Sequence, residues 1–331
     1  MRDPRFKIER RKQKLSILNI FLIFLFVRCI EYYILMPYLN ISSHGFISCA
    51  MGVTVMFFYQ KLVFGNLKSL GLGFNPMRMS KWIGLGVLFS VCPFLIISLV
   101  EFISYRIIGT PFVFRVFAYG YTIGVHGAGA WLTAIIFCAF ISVVKDTLFE
   151  ALYRGLILTK LRTLYSFNMS NILQSALYSI WFLIIPVRYF IWNEPNFETK
   201  YIIKLCLFYL VFEFMCAFKW GLIARASGAV WVSLIDHIIF DFLTESLHFI
   251  KYQGDENWYL RIFMIQVVSF CFAVVYNFYR KKKRPGLFKQ SRADLTDKEL
   301  EEILMQKPEM IDYKEALNNN KANNARNNSP Y

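Results

Sequence analysis

The chain has 331 residues, of which 56% are hydrophobic and 18% aromatic, and its mean hydropathy is +0.43. A soluble domain of this length would carry more charge and would not contain repeated apolar runs of membrane length. The formal net charge of +15 does not indicate nucleic-acid binding, because the basic residues gather between the apolar runs and at both ends, as the positive-inside rule predicts.

About eight apolar runs approach the ~20 residues that a bilayer requires. They cover residues 16–38, 44–65, 81–107, 127–152, 170–191, 201–220, 227–250 and 258–280. The sequence therefore predicts an all-α membrane protein, a bundle of about eight transmembrane helices. We expect the fourth run to continue as a helix to about Lys160. Residues 107–126, which are aromatic and contain glycine, are expected to form a re-entrant or interfacial piece.

Basic residues recur in alternate connections between the runs. They are Arg2, Arg5, Lys7, Arg10, Arg11, Lys12 and Lys14, then Lys61, Lys68, Arg78 and Lys81, then Lys160 and Arg162, then Lys219 and Arg225, and finally Lys281–Arg284. With eight spans all of them fall on one side, so we expect a multi-pass protein of the cell membrane with both termini in the cytoplasm. These basic ends should also attract anionic lipid headgroups.

The chain is divided into a basic cytoplasmic N-terminus (1–15), a polytopic membrane domain (16–280) and a cytoplasmic tail (281–331). The first apolar run lacks a small-x-small cleavage site, so it is expected to be a retained anchor. In the tail, Thr296 and Glu299 form a capping-box pattern that predicts one short amphipathic helix. The asparagine-rich stretch 318–328 has little to bury and is predicted to be disordered.

Seven cysteines fall in the apolar runs, and no CxxC pair occurs. This pattern predicts small buried apolar side chains and neither disulfides nor a thiolate metal site. The sequence also shows no internal repeat, which argues against a transporter-like bundle built from repeated halves.

Polar residues interrupt three of the apolar runs. Lys145 and Asp146 precede Glu150 and Arg154, and the spacing of four places Asp146, Glu150 and Arg154 on one helical face. Charges at membrane depth are costly, so such a cluster indicates a functional site or a paired structural group. The second place is Tyr178–Phe182, which is polar only at its start, and the third is Asp236–Asp241, where His237 and Asp241 share a face.

These three places resemble the motifs of the CAAX protease and bacteriocin-processing family, which includes the type II CAAX prenyl proteases. The family patterns are EExxxR, FxxxH and HxxxN or HxxxD on separate membrane helices. Here they read Phe149-Glu150-x-x-x-Arg154, Tyr178-x-x-x-Phe182 and His237-x-x-x-Asp241, with Gly228-Ala229-Val230-Trp231 before the third. Their order and spacing fit from about residue 80 to 250, and the resemblance implies an intramembrane protease core.

The chain departs from this family at two positions that the resemblance marks as catalytic. Phe149 stands where the family has the glutamate that activates water, and Phe182 stands where it has a histidine. Phenylalanine can neither take a proton nor stabilise negative charge. We therefore expect the two rings to pack together and to fill the space of the catalytic water. The resemblance assigns a supporting role to Glu150 and Arg154, and oxyanion stabilisation or water orientation to His237 and Asp241.

The remaining polar residues leave alternatives open. Glu150 either acts as the base or forms an ion pair with Arg154, and Asp146 either substitutes for the missing glutamate or pairs with Lys145. No cofactor is expected, although a divalent metal on His237, Asp241 and Glu150 is not excluded. His44, His126 and His248 lie near predicted outer ends of spans and are not assigned to the site. Four further charged residues are expected to lie at span boundaries or to pair internally: Arg28, Glu31, Glu101 and Glu213.

The expected function is a catalytically impaired member, a pseudoenzyme that binds a peptide or a partner's membrane helix. Related bacterial proteins imply a role in the cell envelope or in bacteriocin immunity. The abundance of Phe, Ile, Lys and Asn is typical of an AT-rich bacterial genome. The alternative is an active intramembrane endopeptidase in which Glu150 is the base and His237 with Asp241 stabilises the oxyanion. A peptide or membrane protein and lipid are the expected partners, and nucleic acid is not.

Overall fold

The computed structural model describes residues 4–35, 48, 50–52, 54, 76–109, 113–116, 130–191, 198–250 and 258–283. Six of its helices are long and apolar enough to cross a membrane: Lys14–Leu35, Pro76–Ile108, Leu132–Arg162, Phe167–Ile191, Thr199–Ser227 and Trp258–Lys283. A helix pairs its interior backbone groups within the segment, which is what a chain that spans lipid requires. The described residues therefore form an α-helical membrane bundle.

The elements follow one another in a simple order. The helices are α1 (Pro4–Ile30), α2 (Pro76–Ile108), α3 (Ala130–Glu150), α4 (Leu158–Arg162), α5 (Phe167–Phe182), α6 (Ile184–Ile191), α7 (Thr199–Ser227), α8 (Val230–Ser246) and α9 (Trp258–Lys283). A π-helical segment, Glu31–Leu35, follows α1, and a second, Ala151–Ile157, joins α3 to α4. Two short strands, β1 (Val113–Val116) and β2 (Leu247–Ile250), pair antiparallel.

Most of the predicted apolar runs coincide with these helices. The predicted continuation of the fourth run is confirmed, since α3, the π-helical segment and α4 run without a break to Arg162. The run 44–65 lies largely outside the described residues, as do almost all of the tail 281–331 with its predicted helix and disordered stretch. His44 and His126 lie outside them too.

The run 227–250 was predicted as one helix, and this prediction is wrong at its end. Helix α8 has 17 residues and stops at Ser246, where Leu247 becomes extended. Residues 247–250 instead pair with β1, which lies inside the predicted interfacial piece 107–126. The antiparallel partner supplies the backbone hydrogen bonds that the helix would otherwise supply. The rest of that piece, apart from the last residues of α2, is outside the described residues.

Lys219 does not lie in a connection, contrary to the prediction. Helix α7 continues to Ser227, and Lys219 is fully buried within it. Its Nζ lies 2.8 Å from Oδ2 of Asp236 on α8, and this ion pair offsets the cost of burying the charge. The helix ends at Gly228, whose φ of +76° is the left-handed conformation that glycine adopts without strain.

Helix α8 lies at the centre of the bundle, in contact with α2, α3 and α7. Helix α9 packs on α2 and α7 and supplies a hydrogen bond that the backbone of α2 lacks. Pro93 lies inside α2 and has no N–H to donate to the carbonyl of Phe89. The Ser269 hydroxyl of α9 donates to that carbonyl at 2.9 Å. The Lys219 ammonium in turn donates to Ser269 at 3.1 Å.

Candidate functional site

Helices α3, α5 and α8, with the π-helical segment that follows α3, bring together every residue that the three motifs marked. Asp146, Phe149 and Glu150 occupy the last turn of α3, and Arg154 follows in the π-helical segment. Phe182 ends α5, while His237 and Asp241 lie on α8. Single-turn widenings of this π type often occur at functional sites.

His237 lies at the centre of this group. Its Nδ1 is 3.1 Å from Oε1 of Glu150, and its Nε2 is 3.5 Å from Oδ1 of Asp146. The ring stacks on Trp220, with centroids 3.7 Å apart. Asp241, the expected partner at spacing four, is 3.9 Å away, which is too far for a hydrogen bond. The imidazole therefore has its hydrogen-bond partner, Glu150, on α3 and not on its own helix, and Asp146 lies near its other nitrogen.

Glu150 is fully buried, and its oxygens already have partners. The Ser233 hydroxyl donates to Oε2 at 2.7 Å, and Nη1 of Arg154 lies 3.1 Å from Oε1. The predicted ion pair between Glu150 and Arg154 is thus confirmed. The Arg154 guanidinium lies between the rings of Tyr178 and Trp220, with its carbon 4.8 and 4.9 Å from their centroids. Glu150, the candidate base, is therefore engaged in a structural ion pair.

The predicted packing of Phe149 against Phe182 is also confirmed. Their ring centroids are 5.7 Å apart. Phe149 is 1% exposed and meets Trp181 edge to face at 4.8 Å. Aromatic pairs at such distances add attraction beyond the burial of their surface. The two substituted motif positions therefore form one aromatic wall.

Asp146 belongs to a second charged group, which includes Lys145 and Asp241. Lys145 Nζ is 2.6 Å from Oδ2 of Asp241 and 3.6 Å from Oδ1 of Asp146. The predicted local pair between Lys145 and Asp146 therefore exists, but Lys145 is closer to Asp241 on α8. Asp146 is fully buried, and within the described residues neither of its carboxylate oxygens accepts a hydrogen bond.

Within the described residues, one set of side chains could bind a metal ion, and it differs from the set expected from the sequence. Single ligand atoms of Asp146, His237 and Asp241 lie within 4.8 Å of one another. Asp146 takes the place expected for Glu150, whose oxygens are engaged by Ser233 and Arg154. The Lys145 ammonium already neutralises Asp241, so a metal would have to displace it.

A cavity of about 240 Å³ adjoins this site. Phe149, Phe182, His237 and Asp241 line it, together with Glu213 of α7. Neither Glu150 nor Asp146 is part of its lining. The two candidate bases thus lie behind the wall of the cavity and not on it.

Two residues of the site, Ser233 and Trp220, escaped sequence reasoning, and a third, Glu213, was assigned a different place. Ser233 lies one turn before His237 on the same face of α8, a position that the helical period could have revealed. Trp220 and Glu213 come from α7, which carries none of the three motifs. Glu213 was expected to lie at a span boundary or to pair internally, and this expectation is wrong: it lies near the middle of α7 and makes no ion pair within the described residues. A carboxylate at membrane depth by itself marks a candidate functional residue.

The other charged residues singled out in the sequence have structural partners, as expected. Arg28 Nη1 is 3.1 Å from Oε2 of Glu31, and both are buried. Glu101 on α2 pairs with Arg261 on α9 at 2.6 Å. His248 lies in β2, away from the motifs, with Nε2 3.1 Å from the carbonyl oxygen of Glu245.

Comparison of the chain with protein-family models, with curated proteins and with solved structures gave no match. The resemblance to the CAAX protease and bacteriocin-processing family therefore stays a proposal, which depends on the motifs and on the geometry of the site.

Proposed function

We propose that this chain is a degenerate member of the CAAX protease and bacteriocin-processing family, one that binds a peptide or a membrane partner without efficient hydrolysis. One observation carries the proposal. Phe149 and Phe182 line the cavity beside His237, whereas Glu150 and Asp146 are buried outside its lining.

Peptide hydrolysis requires a base in contact with a water molecule, and donors where negative charge develops. At the cavity wall, the positions that would supply the base and its histidine are apolar rings. Glu150 accepts a hydrogen bond from Ser233 and forms an ion pair with Arg154. This carboxylate is buried and does not line the cavity, so it does not reach a substrate there and serves to position His237.

Binding does not need those missing groups. The cavity retains His237 and Asp241 as polar contacts among aromatic side chains, which is the usual composition of a ligand site. A peptide segment or part of a partner's membrane helix is the proposed occupant. A role in the cell envelope or in immunity follows from the family resemblance alone.

We also propose that the chain crosses the cell membrane eight times and has both termini in the cytoplasm. The six long apolar helices, the shorter α8 and the apolar run 44–65 supply the eight spans. The alternation of basic connections supports this count.

A cleavage assay on the purified, reconstituted chain tests the proposed function. The substrates are prenylated CAAX-type peptides and leader-type peptides. We expect no cleavage by the natural chain and measurable cleavage by the double variant Phe149→Glu with Phe182→His. The matched control Phe149→Gln with Phe182→Asn opens the same wall without a base and should stay inactive. Cleavage by the natural chain that is lost in both Glu150→Ala and His237→Ala would overturn the proposal.

One observation favours the second candidate, an active endopeptidase. Asp146 is buried without a hydrogen bond to its carboxylate within the described residues, and it lies 3.5 Å from Nε2 of His237. In this reading Asp146, and not Glu150, would be the base. Cleavage by the natural chain that disappears in Asp146→Asn and persists in the presence of a chelator would favour this candidate.

A further inference from the structure

The lining of the cavity is unusually rich in aromatic rings. Twelve of its 22 residues are Phe, Tyr or Trp. The faces of such rings carry negative potential and attract organic cations. Arg28 shows that these walls accept a cation, because its guanidinium carbon lies 4.5 Å from the ring centroids of both Tyr32 and Trp181.

The charges that face the cavity do not balance. Lys145 is paired with Asp241 at 2.6 Å, and Arg28 with Glu31 at 3.1 Å. Two further carboxyl groups, Glu213 and Glu245, also line the cavity. Within the described part of the chain, neither side chain makes an ion pair or a hydrogen bond. The lining therefore has two carboxyl groups without a basic partner.

Of these two carboxyl groups, Glu213 is the stronger indication of a ligand site. It lies near the middle of α7 and is only 8% exposed. Tyr209, Cys216 and Trp220 line the cavity from the same face of that helix. A buried carboxylate without a cationic partner is costly in its charged form, and a bound cation would lower that cost.

We infer that this cavity binds an alkylammonium group, with Glu213 as its principal contact and the aromatic rings around its alkyl chain. The inference rests on the proposed binding function and specifies its ligand, a peptide segment that presents a lysine side chain. The volume of about 240 Å³ is below the roughly 300–1,000 Å³ of pockets for drug-sized ligands. It exceeds the ~150 Å³ of an engineered cavity that holds benzene, so a group the size of a side chain fits.

The test uses n-butylammonium, which reproduces the lysine side chain, and 1-butanol as its neutral counterpart. Binding to the full chain in nanodiscs is followed by tryptophan fluorescence, since Trp181, Trp220 and Trp258 line the cavity. We expect the cation to bind about tenfold or more tightly than the alcohol. Glu213→Gln should abolish this difference, and Glu245→Gln should reduce it. Glu198→Gln, at an exposed position before α7, should leave it unchanged.

Equal affinity for the cation and the alcohol would overturn the inference, as would full discrimination by a folded Glu213→Gln variant. Gel filtration and thermal unfolding establish that each variant is folded. A second pair, Nα-acetyl-lysinamide and Nα-acetyl-norleucinamide, distinguishes a peptide source from a free amine. Tighter binding of the lysine derivative than of n-butylammonium indicates a peptide, and weaker binding indicates a free amine.

This outcome is separable from that of the cleavage assay. A chain that cleaves peptides and still prefers the cation would refute impaired catalysis but retain the ammonium site. A chain that neither cleaves nor discriminates would retain the proposed function and lose the inference.

Discussion

Lys219 and Asp236, on adjacent helices α7 and α8, form an ion pair inside the bundle, with Nζ 2.8 Å from Oδ2 and both side chains at most 1% exposed. Asp236 also accepts hydrogen bonds from Ser90 at 2.6 Å and from Trp220 Nε1 at 2.8 Å. Three helices, α2, α7 and α8, therefore meet at one carboxylate, and this carboxylate immediately precedes His237.

Lys219→Met should destabilise the protein, because it leaves the Asp236 charge buried without its counter-ion. The loss is expected to be about 3–5 kcal/mol in the free energy of unfolding, measured by thermal or denaturant unfolding in detergent. Adding Asp236→Asn should recover part of it, since the amide oxygen can still accept from Trp220. Lys200→Met, at an exposed position of the same helix, is the control and should have little effect. A Lys219→Met variant as stable as the natural chain would contradict the buried pair.

Gly221→Ala should separate α5 from α7. A Cβ at this position would overlap Oδ1 of Asn171, which itself accepts a hydrogen bond from Gln174 at 2.9 Å. Small residues allow such close approach between membrane helices, so we expect a loss of about 1–3 kcal/mol or more from overpacking.

Gly84→Ala is the matched control for this substitution. No atom lies within 4 Å of a Cβ built at Gly84, so alanine should be neutral or should stabilise α2 by up to ~1 kcal/mol. Unfolding transitions of the two variants, compared side by side, check the prediction. Equal stability of both would mean that the contact between Asn171 and Gly221 is not as close as described.

Phe149→Ala should be costly. The ring is 1% exposed and packs against Trp181 and Phe182, and truncation of a buried Phe costs roughly 3–5 kcal/mol. Phe140→Ala, on the same helix but 57% exposed, should cost far less. If the two variants unfold at the same temperature, Phe149 does not form part of a packed wall.

Both termini should report a cytoplasmic location. Fluorescent-protein fusions at either end should fluoresce in cells, since an even number of spans returns the chain to its starting side. A periplasm-dependent alkaline phosphatase fused after residue 195, in a predicted outer connection, should be active. Opposite signals from the two ends would show an odd number of spans.

Local sequence spacing accounted for several contacts of the site. Glu150 pairs with Arg154, and Arg28 with Glu31, because residues three or four apart share one helical face. The packing of Phe149 against Phe182 was predicted from the family resemblance, because both positions hold the same bulky apolar residue on different helices. The apolar runs likewise predicted the long helices, because length and hydropathy suffice for a membrane span.

The partners of His237 could not be predicted in this way. Its ring is closer to Glu150, which is 87 residues away in the sequence, than to Asp241 on its own helix. Asp241 forms an ion pair with Lys145 instead. Such choices depend on the distance and rotation of α3 relative to α8, which periodicity within one helix does not specify. The ion pair of Lys219 with Asp236 could not be predicted either, because Lys219 was expected to lie in a connection between spans.

The sequence by itself determined that this is a helical membrane protein with a few charged residues at membrane depth, because hydropathy and helical spacing are local properties. Only the tertiary structure decided which charges neutralise one another and which face the cavity. A buried charged group pairs with whichever opposite charge the packing brings within reach. Here the packing gives each of three basic residues an acidic partner: Asp241 for Lys145, Glu150 for Arg154 and Asp236 for Lys219. It leaves Glu213 at the cavity wall.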